Sequence, residues 1–185
     1  MVTFCTPKTS SFITITSSSQ SQNSSLIKYT SSKTFEYKEP SNLIMKSDDL
    51  FGSKGTLVMF ICNHCPYVKH VNPTISRLAK DHNGDDIKFI AISSNDVINY
   101  PDDSPEKMKI NAIENDFNFP YLYDETQETA KEYDAACTPD FYLYDSDLKL
   151  VYRGQLDNSR PGNNIESDGS DMENAIKCLK DDIKN

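Results

Sequence analysis

The sequence predicts an α/β fold with a mixed central sheet and helices on both faces of that sheet. Two observations predict it. Short apolar runs of strand length alternate with segments whose apolar residues repeat at helical spacing. The last two predicted strands are separated by only four residues, so they should pair as an antiparallel hairpin. A parallel βαβ unit followed by such a hairpin gives a sheet of mixed direction.

The first predicted strand and the helix after it are the clearest elements. Residues 56–62 (TLVMFIC) form a continuous apolar run, too short for a helix, that suits a strand buried on both faces. A helix should follow over residues 66–82, because Pro66 suits the first helical turn. The apolar residues of this segment share one helical face, namely Val68, Val71, Ile75, Leu78 and Ala79.

The remaining elements complete a recognisable order. A second buried strand is predicted over residues 87–93 and a loop over 95–103. Further on we expect a helix over 104–116 capped by Ser104, an extended piece over 121–123, a helix over 125–133, strands over 141–144 and 149–153, and a terminal helix through Lys180 opened by a capping box over 170–173. This order of elements is that of the thioredoxin fold.

Size and charge limit the classes of function. A chain of 185 residues is long enough for one domain with a real core and short for two. Its net charge of −9 repels phosphate backbones and anionic lipid surfaces. No segment approaches the roughly 18 apolar residues of a membrane-spanning helix. We therefore expect neither nucleic acid nor a membrane among its partners.

The first 35 residues differ in composition from the rest. They contain no acidic residue, three lysines, no arginine, and Ser or Thr at about half of the positions. This composition is typical of an organellar transit peptide, and its Ser and Thr content without arginine favours the plastid. An ordinary disordered tail is the alternative. We expect a transit peptide over residues 1–35, a working domain over 36–185 with a net charge of −12, and a location in the chloroplast stroma.

The five cysteines indicate redox or metal chemistry. Their number is odd and no secretory signal precedes them, so a framework of structural disulfides is not expected. Two of them, Cys62 and Cys65, form a Cys-x-x-Cys pair. This pair could bind zinc, with His64 or His70 as further ligands. However, the sequence contains no second Cys-x-x-Cys pair to complete a structural zinc site. We expect neither a metal nor a cofactor.

Cys65 is the candidate nucleophile. It directly precedes Pro66 and so occupies the predicted N-cap of the helix, where unpaired backbone N–H groups and the helix dipole favour a thiolate. Cys62 lies three residues earlier and can reach Cys65 only if the strand ends near it and the chain turns. The predicted reaction is thiol-disulfide exchange, with Cys65 attacking and Cys62 resolving the mixed disulfide.

Thr138 and Pro139 are the second signal. They stand directly before a predicted strand, in a chain that carries a cysteine pair after its first core strand. This is the position of the cis-proline loop in thioredoxin folds. Such a loop would lie beside the sulfur atoms and present backbone groups to a substrate. The neighbouring Cys137 is expected to be structural, with contact to these sulfur atoms as the alternative.

Several separated motifs carry a family resemblance. The segments VMFICNHCPYVKHV, SSND with YPDDSPEKM, FPYLYDETQETAKEYDAACTPDFYLYD and LVYRGQLDNSRPGN occur in the same order as in redoxin-branch proteins. The chain thus resembles the alkyl hydroperoxide reductase and thiol-specific antioxidant grouping, including its plastid members, over residues 55–163. The resemblance implies thiols and disulfides of proteins or small molecules as substrates, with thioredoxin or glutathione as the candidate electron donor.

The resemblance also sets a register for the cysteines. In thioredoxins the nucleophile follows a core phenylalanine by five residues and precedes a proline by eight, which Phe60, Cys65 and Pro73 reproduce. The second thioredoxin cysteine would fall at Val68, so Cys62 is a partner on the other side of the nucleophile.

The peroxiredoxin register fits less well. In those relatives a Thr and a Pro precede the peroxidatic cysteine by three and seven residues, and an Arg completes peroxide activation. Here those positions are Cys62 and Val58. Three hypotheses follow: an oxidoreductase acting on disulfides, a thiol peroxidase with Cys65 as the peroxidatic residue, and a non-catalytic binding or sensor module.

Overall fold

A five-stranded mixed sheet forms the centre of the computed structural model, which describes residues 36–38, 44–46 and 50–181. Its strands lie in the order β5-β4-β3-β6-β7, with β3 parallel to β4 and antiparallel to β6. A separate antiparallel pair consists of β1 and β2. The strand bounds are β1 Glu36–Lys38, β2 Ile44–Lys46, β3 Gly55–Phe60, β4 Ile87–Ser93, β5 Tyr121–Tyr123, β6 Asp140–Asp145 and β7 Leu150–Gly154. The predicted mixed sheet is confirmed.

Within residues 51–181, four α-helices and one short 3-10 helix connect or flank these strands. They are α1 Pro66–His82, the 3-10 helix Pro101–Asp103, α2 Pro105–Glu114, α3 Glu128–Glu132 and α4 Ser170–Lys180. No helix in the described part of the chain has both the length and the apolar character needed to cross a membrane.

The alternation of side chains along β3 divides the core between the two faces of the sheet. Leu57 and Met59 pack in one cluster, which includes apolar residues of α1, α2 and α4. Val58 and Phe60 point the other way into a second cluster, against which α3 packs through Ala130. Helices on both faces are thus confirmed, because successive residues of a strand point to opposite sides.

Several predicted boundaries are corrected by local backbone contacts. The first buried strand ends at Phe60 rather than at residue 62, because the N–H groups of Asn63 and His64 bind a side chain instead of a neighbouring strand. The predicted helix over 125–133 is limited to Glu128–Glu132 and begins after Gln127, whose φ is +60°. The helix over 104–116 keeps its Ser104 cap and ends at Glu114.

The predicted capping box at the start of α4 is wrong. The N-cap is Gly169 with φ +68°, a conformation that glycine adopts without steric cost, and Ser170 is already helical. The carboxylate of Glu173 does not fold back onto the cap, because it binds His82 Nε2 at 3.0 Å.

Candidate active site

The segment from Cys62 to Cys65 crosses the carboxyl edge of the sheet between β3 and α1. Because β3 and β4 are parallel, the segment that follows β4 emerges at the same edge. Both cysteine side chains are buried and neither forms a disulfide, with Cys62 1% exposed and Cys65 4% exposed. This edge is the position at which ligand sites form in open α/β sheets.

Cys65 is the N-cap of α1, as predicted. Its backbone is extended, with φ −65° and ψ 123°, and Pro66 occupies the first helical turn. Its carbonyl accepts the first helical hydrogen bond, from Lys69 N at 3.0 Å. The backbone amides of Val68 and Tyr67, at the start of the helix, help to lower the pKa of the Cys65 thiol. An anion at this sulfur is therefore stabilised by the unpaired amides of the helix start.

The two thiols are coupled and their pKa values move in opposite directions. Cys62 donates a hydrogen bond to Cys65, and this bond, aided by the Val68 amide, lowers the pKa of Cys65 to about 5 despite its burial. The same bond raises the pKa of Cys62, and burial and the charge of Asp103 raise it further. At neutral pH the pair therefore holds a thiolate at position 65 and a thiol at position 62.

The Thr138–Pro139 peptide bond is cis, as predicted, and Thr138 contacts both sulfur atoms. Its Oγ1 lies 3.2 Å from Cys62 Sγ, and its carbonyl oxygen lies 3.5 Å from Cys65 Sγ. The register of the sheet causes this proximity, because Asp140 at the start of β6 pairs with Phe60 at the end of β3. The hydroxyl of Thr138 lowers the pKa of Cys65 after the larger contribution of Cys62.

Asp103 organises the turn between the cysteines, and the sequence analysis did not identify it. Its side chain is fully buried. Its Oδ1 accepts hydrogen bonds from Asn63 N at 2.7 Å and His64 N at 3.1 Å. Its Oδ2 accepts from Asn95 Nδ2 at 2.7 Å and lies 2.5 Å from His64 Nδ1. Four polar contacts therefore compensate the burial of this carboxylate.

Asn63 and His64 also contact groups other than Asp103. The ring of His64 stacks on Tyr100 with a centroid distance of 4.8 Å and an interplanar angle of 5°. Asn63 Nδ2 donates to the carbonyl oxygen of Asp102 at 2.8 Å, and Asn63 Oδ1 accepts from the buried Tyr121 hydroxyl at 3.1 Å. The residues between the cysteines are thus held by groups from two other segments, residues 100–103 and β5.

A topological signal could have identified Asp103. The predicted parallel pairing of the first two core strands brings the segments that follow them to one edge of the sheet. The Asp102-Asp103 pair stands in the second of these segments, directly before a helix start. Two adjacent acidic residues in a loop are usually both solvated. The local sequence does not distinguish the buried Asp103 from the exposed Asp102.

Cys62, His64 and Asp103 could together hold a metal ion, since one donor atom from each lies within 4.8 Å of the others. The carboxylate is already engaged by the turn and by Asn95. Binding a metal there would replace hydrogen bonds that hold the turn. His70, the other candidate ligand from the sequence, is not part of this group.

The other cysteines are placed as follows. Cys137 is half-buried and adjoins Thr138, so it stands one residue from the contacts with the sulfur atoms. Cys178 is half-buried on α4, outside the segments that build the site. Cys5 lies outside the described residues, as does the whole of the predicted transit peptide.

Fold and site together define a thioredoxin-like protein. The model of the AhpC/TSA family matches residues 31–153, and the chain belongs to that family. No curated protein is significantly similar to the chain.

Three solved structures illustrate the likeness. An uncharacterized conserved protein from Geobacillus kaustophilus is 51% identical with a TM-score of 0.77, covering 80% of this chain and 79% of that one. A hypothetical protein from Sinorhizobium meliloti 1021 is 36% identical with a TM-score of 0.76, covering 80% and 81%. A secreted disulfide oxidoreductase of Mycobacterium tuberculosis, homologous to E. coli DsbE, is 16% identical with a TM-score of 0.60, covering 78% and 96%, and this likeness is one of fold.

Proposed function

We propose that the protein is a thiol-disulfide oxidoreductase in which Cys65 is the nucleophile and Cys62 the resolving residue. The observation that carries this proposal is the cysteine pair at the start of α1, where both sulfurs contact Thr138 and their pKa values shift in opposite directions. A thiolate is the attacking species in disulfide exchange, whereas the second thiol reacts only after the mixed disulfide has formed. The site supplies a thiolate at Cys65 and a thiol at Cys62.

The proposed reaction transfers two electrons to a substrate disulfide. The Cys65 thiolate attacks one sulfur, a mixed disulfide forms, and the other substrate sulfur leaves as a thiolate. Cys62 then loses its proton and attacks Cys65 Sγ, which forms the Cys62–Cys65 disulfide and releases the second substrate thiolate. A thiol reductant of the thioredoxin or glutathione class would return the pair to its reduced state.

The cis-proline segment is the proposed substrate-binding element. The carbonyl of Thr138 faces Cys65 Sγ, so a substrate that reaches this sulfur passes the Thr138–Pro139 backbone. Cys65 is only 4% exposed, which limits attack to a disulfide that enters beside this segment. Proteins and small molecules that present such a disulfide are the proposed substrates.

The surroundings of Cys65 favour disulfide over peroxide chemistry. The family resemblance calls for an arginine beside a peroxidatic cysteine, and the chain has three arginines. Arg77 binds the Asp168 carbonyl, Arg153 binds Asp140, and Arg160 binds the Asp157 carbonyl. None of them contacts the sulfur.

Reduction of insulin disulfides by dithiothreitol, with and without the protein, tests the proposal. We expect the wild type to accelerate the reaction and Cys65→Ser to show only the background rate. Cys178→Ser is the matched control, because it removes a cysteine outside the site. Activity of Cys65→Ser equal to the wild type would contradict the proposal. Faster consumption of hydrogen peroxide than of disulfide would assign the site to the peroxidase alternative.

We also propose that the protein acts in the chloroplast stroma. The support is the composition of residues 1–35, which lack acids and are about half Ser and Thr. A fluorescent fusion to residues 1–35 should enter plastids, whereas the same fusion to residues 36–185 should not. Diffuse fluorescence of the first fusion would contradict this location.

A further inference from the structure

The proposed reaction contains a proton transfer that the two cysteines do not perform by themselves. Cys62 must become a thiolate to attack Cys65 Sγ, yet it is 1% exposed, so bulk water has little access to its proton. Once Cys65 is joined to the substrate it carries no charge that could accept this proton. A base near Cys62 is therefore required for fast resolution.

The geometry around Cys62 supplies such a base. A ring nitrogen of His64, a carboxylate oxygen of Asp103 and Cys62 Sγ all lie within 4.8 Å of one another. His64 Nδ1 and Asp103 Oδ2 are 2.5 Å apart, so the ring and the carboxylate are hydrogen-bonded. A small side-chain rotation or one bridging water spans the remaining distance to the sulfur.

We infer that the His64–Asp103 pair accepts the proton of Cys62 when Cys62 attacks the mixed disulfide. This inference rests on the proposed function and concerns its second step alone. Asp103 orients the ring of His64, and Tyr100 stacked on the ring keeps its plane fixed. His64 lies in the turn between the cysteines, and Asp103 lies in the segment after β4. The hydrogen bond from Asn63 N to Asp103 Oδ1 holds the two segments together.

Among the residues that the structure describes, the other groups near Cys62 are unsuitable as bases. Burial, together with the charges of Cys62 and Asp103, raises the pKa of Tyr121 well above its usual value, so this hydroxyl stays protonated. Thr138 Oγ1 contacts Cys62 Sγ but is a neutral hydroxyl. Asp102 is exposed, and it meets the turn through its backbone carbonyl.

The step balances as follows. The Cys62 S–H bond breaks and its proton passes to a ring nitrogen of His64, and the Asp103 carboxylate stabilises the imidazolium that forms. The sulfur electrons form the Cys62–Cys65 bond, the Cys65–substrate bond breaks, and its electron pair leaves on the substrate sulfur. The oxidant is the substrate disulfide. The proton is afterwards released to the departing thiolate or to solvent.

A chromogenic aromatic disulfide separates the two steps in one experiment. With excess 5,5′-dithiobis(2-nitrobenzoate) under single-turnover mixing, attack by Cys65 releases the first thionitrobenzoate, and attack by Cys62 releases the second. The variants are His64→Gln and Asp103→Asn, with Asp102→Asn as the control of equal charge change. Cys62→Ser identifies the second phase, because this variant cannot show it.

We expect His64→Gln to slow the second phase about 10²-fold at neutral pH, the lower range for general-base catalysis, and to leave the first phase within about threefold. The deficit should shrink as pH rises, because hydroxide replaces the missing base. Asp103→Asn should show the same pattern, and Asp102→Asn should match the wild type. If Asp103 acted only through its charge, Asp103→Asn would accelerate the second phase.

Other outcomes would overturn the inference. An unchanged second phase in His64→Gln, or equal slowing of both phases at every pH, would show that the pair is only structural. Loss of the first phase in the wild type would instead refute the proposed function, and the inference with it. Because His64 is partly exposed, His64→Gln keeps the test valid if Asp103→Asn does not fold.

Discussion

Asn63 N donates a hydrogen bond to Asp103 Oδ1 at 2.7 Å, and the two residues lie 40 positions apart in the chain. The turn that brings Cys62 to Cys65 is therefore held by a carboxylate from the segment after β4. His64 N donates to the same oxygen at 3.1 Å. One side chain thus accepts hydrogen bonds from two adjacent amides. If β3 continued, these amides would pair with a neighbouring strand instead.

Replacement of Asp103 should therefore destabilise the whole domain. Asp103→Ala leaves the amides of Asn63 and His64 and the side chain of Asn95 without their acceptor inside the protein. We expect the free energy of unfolding to fall by about 3 kcal/mol, the range for hydrogen bonds to a buried charged group. Urea denaturation checks this through a lower midpoint with an unchanged slope.

Asp102→Ala is the matched control, since the adjacent side chain is exposed and meets the turn only through its backbone carbonyl. It should leave the denaturation midpoint nearly unchanged. Equal losses in the two variants would show that the carboxylate of Asp103 does not hold the turn.

The reactivity of Cys65 should depend on pH in the way a low pKa requires. With a pKa of about 5, Cys65 is a thiolate at neutral pH, so its alkylation rate should be flat there and fall as pH drops through 5. An isolated thiol, with a pKa of about 8.5, would still gain reactivity above pH 7. Alkylation by iodoacetamide, followed at the Cys65 peptide by mass spectrometry, measures the profile.

Cys62→Ala adds a test of the cause. The hydrogen bond from Cys62 is the largest contribution that lowers the pKa of Cys65, so its removal should move the midpoint of the profile to higher pH. Cys178→Ser should keep the wild-type profile. A midpoint unaffected by Cys62→Ala would show that the helix start alone stabilises the thiolate.

Much of this architecture could be predicted from local patterns. The N-cap position of Cys65 follows from Pro66 at the first helical turn, and the Thr138–Pro139 loop follows from its place before a core strand. Both depend on residues that are neighbours in sequence. The order of elements along the chain is equally local in origin, because run length and hairpin spacing predict it.

The parts that escaped prediction depend on contacts between distant segments. The environment of His64 could not be read from its own neighbours, because Asp103 and Tyr100 reach it from the segment after β4. The prediction of a capping box at the start of α4 was wrong for a related reason. Glu173 could have served a capping box, but His82 at the end of α1 binds its carboxylate instead. In each case a tertiary partner outweighed a local preference.

The hydroxyl of Thr138 should tune the cysteine pair. Thr138→Val removes Oγ1, which lies 3.2 Å from Cys62 Sγ, and keeps the size of the side chain. Because this hydroxyl lowers the pKa of Cys65, its loss should move the alkylation midpoint to higher pH. Thr138→Ser restores the hydroxyl and should restore the midpoint. If Thr138→Ser behaved like Thr138→Val, the hydroxyl would not be the cause of the shift.

Removal of the resolving sulfur should trap the reaction halfway. In Cys62→Ser the thiolate of Cys65 can still attack glutathione disulfide, but no thiol at position 62 displaces the bound glutathione. We expect a stable adduct of one glutathione per chain by intact-protein mass spectrometry, located on the Cys65 peptide. The wild type should instead proceed to the Cys62–Cys65 disulfide and carry little adduct.

Cys137 is the alternative to Cys62 as the resolving residue. It adjoins Thr138, whose carbonyl faces Cys65 Sγ, so it is the other thiol that a small backbone movement could bring to the mixed disulfide. Cys137→Ser should therefore behave like the wild type. If Cys62→Ser released glutathione and the double variant Cys62→Ser/Cys137→Ser retained it, Cys137 would be the resolving residue.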